Sequence, residues 1–149
     1  TPVPYETTLL VRDHCLCLRA QRAARAMARR FDEAFRGVGI TSGQFSLLMS
    51  LNRPKPPTLG SVAELLAMDR TTLTANLKPL ERRGLIEITP DPKDKRGRLL
   101  ALTKDGLHLL SRAFPIWQET QQQLENQVAD TDPKQLLAAL INLSQEPGN

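Results

Sequence analysis

Four cations, Lys93, Lys95, Arg96 and Arg98, crowd into the stretch "DPKDKRGRLLALT" that runs from Asp91 to Thr103. A cationic tip of this kind suits phosphates, since it could straddle a sugar–phosphate backbone or enter a minor groove. Asp94 is placed to hold Arg96, and Asp91 with Pro92 has the residue types that start a turn. A second group lies just upstream in "RTTLTANLKPLERRG". Read at about 100° per residue, Leu73, Leu77 and Leu80 share one helical face. Thr71, Ala75, Lys78 and Arg82 share the opposite face, with Thr72 and Pro79 beside them. Small and hydroxyl-bearing residues near a helix start let a duplex approach, and a basic residue further on suits phosphate. Arg70 and Thr74 flank this face and could reach base edges, Arg toward guanine and Thr toward a thymine methyl. A solvated amphipathic helix shows a similar face, so it is the adjacent cationic tip that points to a nucleic acid.

Such residues need elements to position them. Apolar residues at three- and four-residue steps from Thr7 to Arg36 predict one long first helix. "GVGIT" ends it, and Thr41 with Gln44 forms a capping box for a second helix, "SGQFSLLMSLN". Pro54, Pro56 and Pro57 force an extended loop before a short helix in "TLGSVAELLAMD". Asp69 is expected to cap the helix that carries Thr71 and Lys78, and Gly84 to end it. "LIEIT" and "RLLALT" then read as two strands joined by a long charged tip. A long helix follows from about Thr103 to Ala129, with Pro115 as an expected kink, and Asp132 and Pro133 open a terminal helix. Two short helices followed by a hairpin is the order of a winged helix-turn-helix, whose second helix enters a major groove.

Composition narrows the classes. The 149 residues carry net charge +4, which allows a polyanionic partner without demanding one. Charge is segregated: net +4 from Arg12 to Arg36, +3 from Asp69 to Arg98 and −3 over the remainder. No apolar run has the length of a membrane span, and "TPVPYETT" lacks the order of a secretory signal, so no membrane association is expected and a cytoplasmic location is. Cys15 and Cys17 point apart on the expected first helix and cannot bridge each other without distortion. His14 and His108 are isolated, so neither a metal site nor a cofactor is expected. No serine sits on a strand-to-helix elbow and no glycine-rich phosphate loop exists, which argues against an enzyme.

"DRTTLTANLKPLERRGLIE" followed by "DPKDKRGRLLALTKDG" resembles the MarR family, the multiple-antibiotic-resistance regulators. The family motif has an acid-x-arginine wing leading into Leu-Thr-x-x-Gly, matched here by Asp94, Lys95, Arg96, Leu102, Thr103 and Gly106. The helices before and after occur in family order, so the resemblance covers nearly the whole chain. It implies a mainly α (α+β) fold, a winged helix-turn-helix with long N- and C-terminal dimerisation helices. One domain over residues 1–149 is expected, with a DNA-binding lobe over 38–103 and dimerisation helices over 5–37 and 104–146. It further implies a homodimer on a pseudo-palindromic double-stranded operator, and a repressor released by a small aromatic or acidic effector. By position, Arg70, Thr71, Thr72, Thr74, Ala75 and Lys78 would face the groove and Arg96 would make the wing contact. Pro79 departs from an uninterrupted reading helix and removes the hydrogen bond to Ala75, which questions a contact by Arg82.

Dimerisation can also be argued from residues alone, because Leu9, Leu10, Leu136, Leu137, Leu140, Ile141 and Leu143 exceed what a small lobe needs for its core, their packing on each other within one chain being the alternative. For the effector, Phe45, Met49, Phe114 and Trp117 are the candidate pocket residues, with ordinary core packing as the alternative. Arg19, Arg22, Arg25 and Arg29 form a basic stripe that could attract an acidic effector or DNA, a solvated face being the alternative. One branch of the family senses organic hydroperoxide through a first-helix cysteine, which makes Cys15 a redox candidate with Arg12, Arg19 and Arg22 nearby. The tyrosines of that branch have no counterpart, since the single tyrosine is Tyr5, and a buried, inert helical thiol is the alternative. A winged-helix module that binds acidic protein instead of DNA is the remaining alternative.

Overall fold

The structure, a computed structural model, describes residues 2–145. Thr1 and the last residue of the expected closing segment, 146, lie outside them. In chain order the elements are α1 (Tyr5–His14), α2 (Leu16–Ala34), a 3-10 turn (Phe35–Val38), α3 (Ser42–Ser50), α4 (Leu59–Leu65), α5 (Arg70–Arg82), β1 (Ile86–Asp91), β2 (Asp94–Leu102), α6 (Lys104–Gln127) and α7 (Pro133–Leu143). This is a mainly helical winged helix-turn-helix with one two-stranded antiparallel sheet.

The single long first helix expected over Thr7 to Arg36 is corrected to α1, α2 and the 3-10 turn. Cys15 breaks it by adopting an extended backbone, φ −76° and ψ 110°, so that its thiol accepts the Leu18 N–H at 3.4 Å and caps α2. At the end of α1 the Arg19 guanidinium donates at 2.9 Å to the Arg12 carbonyl, one of those the helix leaves unpaired, and the His14 ring lies 2.9 Å from the Leu10 oxygen. The cysteines therefore do not share one helix, and both are free thiols.

From α2 onward the local signals act as expected. Asp32 on α2 accepts the Ser42 N–H at 2.6 Å and so ties down the start of α3, where the Thr41–Gln44 capping box is complete. Phe35 is fully buried and stacks on Phe45 at 4.8 Å between ring centroids. Around them the core gathers Leu47 and Leu48 of α3, Val62 of α4, Leu73, Leu77 and Leu80 of α5, Leu100 of β2 and Leu110 and Ala113 of α6. One core thus runs from the 3-10 turn into the first half of α6.

The α4–α5 turn closes with a 6→1 bond from Met68 N–H to the Ala63 carbonyl, at 2.9 Å, which puts Ala67 in the left-handed region at φ 52°. A Cβ costs about 1–2 kcal/mol there. Ala67→Gly is therefore expected to raise the melting temperature by about 2 °C after the extra flexibility of the unfolded glycine is discounted. A lower melting temperature on thermal unfolding would show that the turn carries no strain. Gly84, at φ 72°, ends α5 with the same bond type, from Leu85 N–H to the Leu80 carbonyl.

The wing departs from the long tip expected. Its strands pair from Ile86↔Leu102 to Pro90↔Arg98 and, after a register slip at Pro90/Asp91, close at Asp91↔Asp94. Only Pro92 and Lys93 connect them, because the Asp91 carboxylate accepts the Lys93 N–H at 2.9 Å and tightens the turn. Leu100 N–H bonds to the Pro57 carbonyl at 2.9 Å, so the proline loop lies along the free edge of β2. α6 continues through Pro115 to Gln127, and Asp132 caps α7 by accepting the Lys134 N–H at 3.0 Å.

Candidate nucleic-acid interface

The reading face of α5 is built by phasing. Leu73, Leu77 and Leu80 are at most 1% exposed, which fixes the rotation of the helix and turns Thr71, Thr72, Thr74, Ala75 and Lys78 to solvent. Arg70, Thr71, Thr74, Ala75 and Lys78 line a shallow concavity on that surface. The helix carries on through Pro79 to Arg82. Asp69 caps it twice over, accepting the Thr72 N–H and the Thr72 hydroxyl, each at 2.8 Å. These two bonds hold its carboxyl below the ordinary aspartate range, with the backbone bond the larger cause. Thr74 donates its hydroxyl to the Arg70 carbonyl at 2.8 Å.

On the wing, Lys93, Lys95, Arg96 and Arg98 are all exposed. Asp94 does hold Arg96, through the backbone: its carboxylate accepts the Arg96 main-chain N–H at 3.0 Å, which shapes the wing and leaves the guanidinium unpaired among the described residues. Among the described residues the ion pairs are Arg12–Asp13, Arg19–Asp13 and Arg36–Glu33, so no cation of α5 or the wing is neutralised by a neighbour. Two adjoining elements thus present small, hydroxyl and cationic groups with their charge uncompensated, which is the electrostatic footprint of a duplex binder.

Phe45 and Met49 of α3 meet Phe114 and Trp117 of α6 around a pocket of about 370 Å³. Sequence reasoning missed its other walls, Ser46, Ser50, Leu65 and Leu66, because a leucine at the end of a short amphipathic helix reads as core. Leu65 is in fact 62% exposed. The Phe114 and Trp117 rings are near-parallel, 6.0 Å apart. Cys15, Arg19 and Arg22 are not part of this pocket, and no charged side chain lines it. No group of three or more His, Cys, Asp or Glu able to hold a metal occurs among the described residues. Nor is any helix among them long and apolar enough to cross a membrane.

Sequence reasoning also missed Gly60. The Arg70 guanidinium lies over it, so close that a Cβ at residue 60 would stand 2.7 Å from Nη2. No local pattern announces this contact, which exists only once α4 and α5 are packed together.

Comparison with known proteins follows the same lines. The MarR family model matches residues 40–97. The organic hydroperoxide resistance transcriptional regulator of Bacillus subtilis is 33% identical over 128 residues, 86% of each chain. The transcriptional activatory protein BadR of Rhodopseudomonas palustris is 31% identical over 97 residues, 63% of this chain and 55% of BadR. Among solved structures, the M. tuberculosis transcriptional regulator MOSR in complex with DNA superposes with a TM-score of 0.81, covering 89% of this chain and 95% of that one at 32% identity.

Proposed function

The chain belongs to the MarR family of DNA-binding transcriptional regulators, and from that premise we propose that it acts as a homodimeric repressor that an effector releases from a pseudo-palindromic operator. Residues 38–103 form the DNA-binding lobe in this reading, and residues 5–37 and 104–146 hold the dimer together. Arg70, Thr71, Thr72, Thr74, Ala75 and Lys78 belong to the groove side, and Lys93, Lys95, Arg96 and Arg98 to the wing contact. The observation that carries the DNA contact is the uncompensated charge of the wing beside an exposed α5 face.

Dimerisation is supported by surface area. A folded monomer of this mass exposes roughly 7,600 Å², whereas this chain exposes 11003 Å². The excess, about 3,400 Å² on one chain, is more than enough for one side of an obligate interface, which buries about 2,000–5,000 Å² over both partners together. It includes α1 and α7, neither of which buries a single residue within the chain. The pocket between α3, α4 and α6 supports an aromatic effector over an acidic one, because nothing charged lines it to meet a carboxylate. It also joins the lobe to the dimerisation helix, so a ligand there could shift one against the other.

Arg96→Ala is the test of the wing. Affinity for operator and random duplexes should fall alike, by roughly tenfold near physiological salt, and the slope of log affinity against log salt should fall by about 0.9. Unchanged binding removes the wing from the mechanism.

A second reading, thiol sensing, is favoured by the half-buried Cys15 at the α1–α2 break, where its sulfur is itself the cap of α2. Oxidation to the sulfenic acid would alter that cap, and the B. subtilis relative named for organic hydroperoxide resistance points the same way. Under this reading Cys15→Ser abolishes hydroperoxide-driven release from DNA in a gel-shift assay, and persistence of release eliminates the thiol switch.

A further inference from the structure

Granted the groove-binding role of α5 proposed above, we infer that Thr71, Ala75 and Lys78 form its base-reading edge, that the hydroxyls of Thr72 and Thr74 are committed to the helix itself, and that Arg70 is a backbone clamp positioned by Gly60. A threonine hydroxyl has one proton to donate. That of Thr72 goes to the Asp69 carboxylate and that of Thr74 to the Arg70 carbonyl. Thr71 has no such partner among the described residues, so it alone of the three keeps a free donor for a base acceptor such as guanine O6 or thymine O4. Ala75 and Lys78 continue the same edge at four- and three-residue steps, a methyl for a thymine methyl and a cation for guanine or phosphate.

Arg70 has the residue type that reads guanine, yet its guanidinium lies across the helix pair, over the first turn of α4. In a helix-turn-helix the first helix of the pair crosses the duplex backbone. A guanidinium held against that helix meets phosphate, which fixes register and carries no sequence information. The site is open because residue 60 has no side chain: Nη2 would lie 2.7 Å and Cζ 3.4 Å from a Cβ there. Gly60 thus acts through Arg70 as a positioning residue.

Selection from a pool of randomised duplex DNA, with sequencing of the bound fraction, separates these roles. The wild type should enrich a motif. Thr71→Val should weaken discrimination at one position per half-site by about tenfold, while Thr72→Val lowers the melting temperature and leaves the motif intact. Arg70→Ala should weaken every duplex by a common factor and lower the salt slope by about 1, and Gly60→Ala, which keeps the charge but displaces the guanidinium, should weaken every duplex by a smaller common factor. Alanine is the better helix former, so a loss in Gly60→Ala does not come from unfolding of α4. A motif altered by Thr72→Val or Arg70→Ala, or unaltered by Thr71→Val, overturns the assignment. A wild type that enriches no motif overturns the groove-binding reading itself.

Discussion

Gly106→Ala is expected to lower the stability of the protein by about 3 kcal/mol, at the upper end of what overpacking usually costs. α6 starts against the wing so closely that a Cβ on residue 106 would stand 2.1 Å from the Leu85 carbonyl oxygen and 3.3 Å from Cδ2 of Leu102. The oxygen cannot retreat, because it accepts the Thr103 N–H at 3.0 Å, and Thr103 also donates its hydroxyl to the Gly84 carbonyl at 2.6 Å. The same threonine caps α6 by accepting the Gly106 N–H at 3.1 Å. Threonine and glycine three residues apart therefore form one joint: the hydroxyl pins the helix start to the wing base, and the missing side chain lets it come that near. Thermal unfolding should show a drop of roughly 6–12 °C. Whatever relaxation occurs must slide α6 off Leu85, so the wing should lose its fixed angle to α5 and DNA affinity should fall with it. A melting temperature within about 2 °C of the wild type would mean that α6 is free to shift and the joint is loose.

How much of this was legible in the sequence depended on whether the signal was local. The capping box at Thr41, the cap at Asp69 and the rotation of α5 were all legible, because each is set within a few residues and the buried leucines can face only one way. The break at Cys15 was not, since no proline or glycine marks it and the apolar spacing runs on through it. It is set by weak caps from a thiol and a guanidinium, types that elsewhere sit inside helices. The wing was legible as a hairpin, but its zipping to Asp91↔Asp94 was not, because charge and proline between two strands read as loop. Asp94 shows the same limit in the candidate site, since the sequence gives its nearness to Arg96 but not whether it meets the side chain or the backbone. The four aromatic and methionine residues of the pocket were named from helical spacing, yet only the crossing of α3 and α6 shows that they face one space and that Leu65 and Leu66 close it.

The double variant Leu137→Glu, Ile141→Glu should give the largest loss of DNA binding of any change outside the lobe. The two positions are one helical turn apart on α7, and both side chains are more than half exposed in the single chain, at 53% and 56%. Neither belongs to the core cluster, so within one chain the substitutions remove no packing. In the proposed dimer, by contrast, each would place a carboxylate in an apolar contact, where burial of an unpaired charge costs several kcal/mol. Sedimentation should therefore report a monomer. Its consequence for DNA follows from linkage: two α5 helices held in one body make the second half-site contact intramolecular, and separating them should lower operator affinity by roughly 10²- to 10⁴-fold. Affinity for a single half-site should change little, since α5 and the wing are untouched. Arg96→Ala acts in the opposite pattern, weakening half-site and full operator alike, so the two variants together tell an assembly defect from a contact defect. A double variant that remains dimeric with full operator affinity would exclude α7 from the interface and leave the exposed leucines of this helix without the partner that their exposure demands.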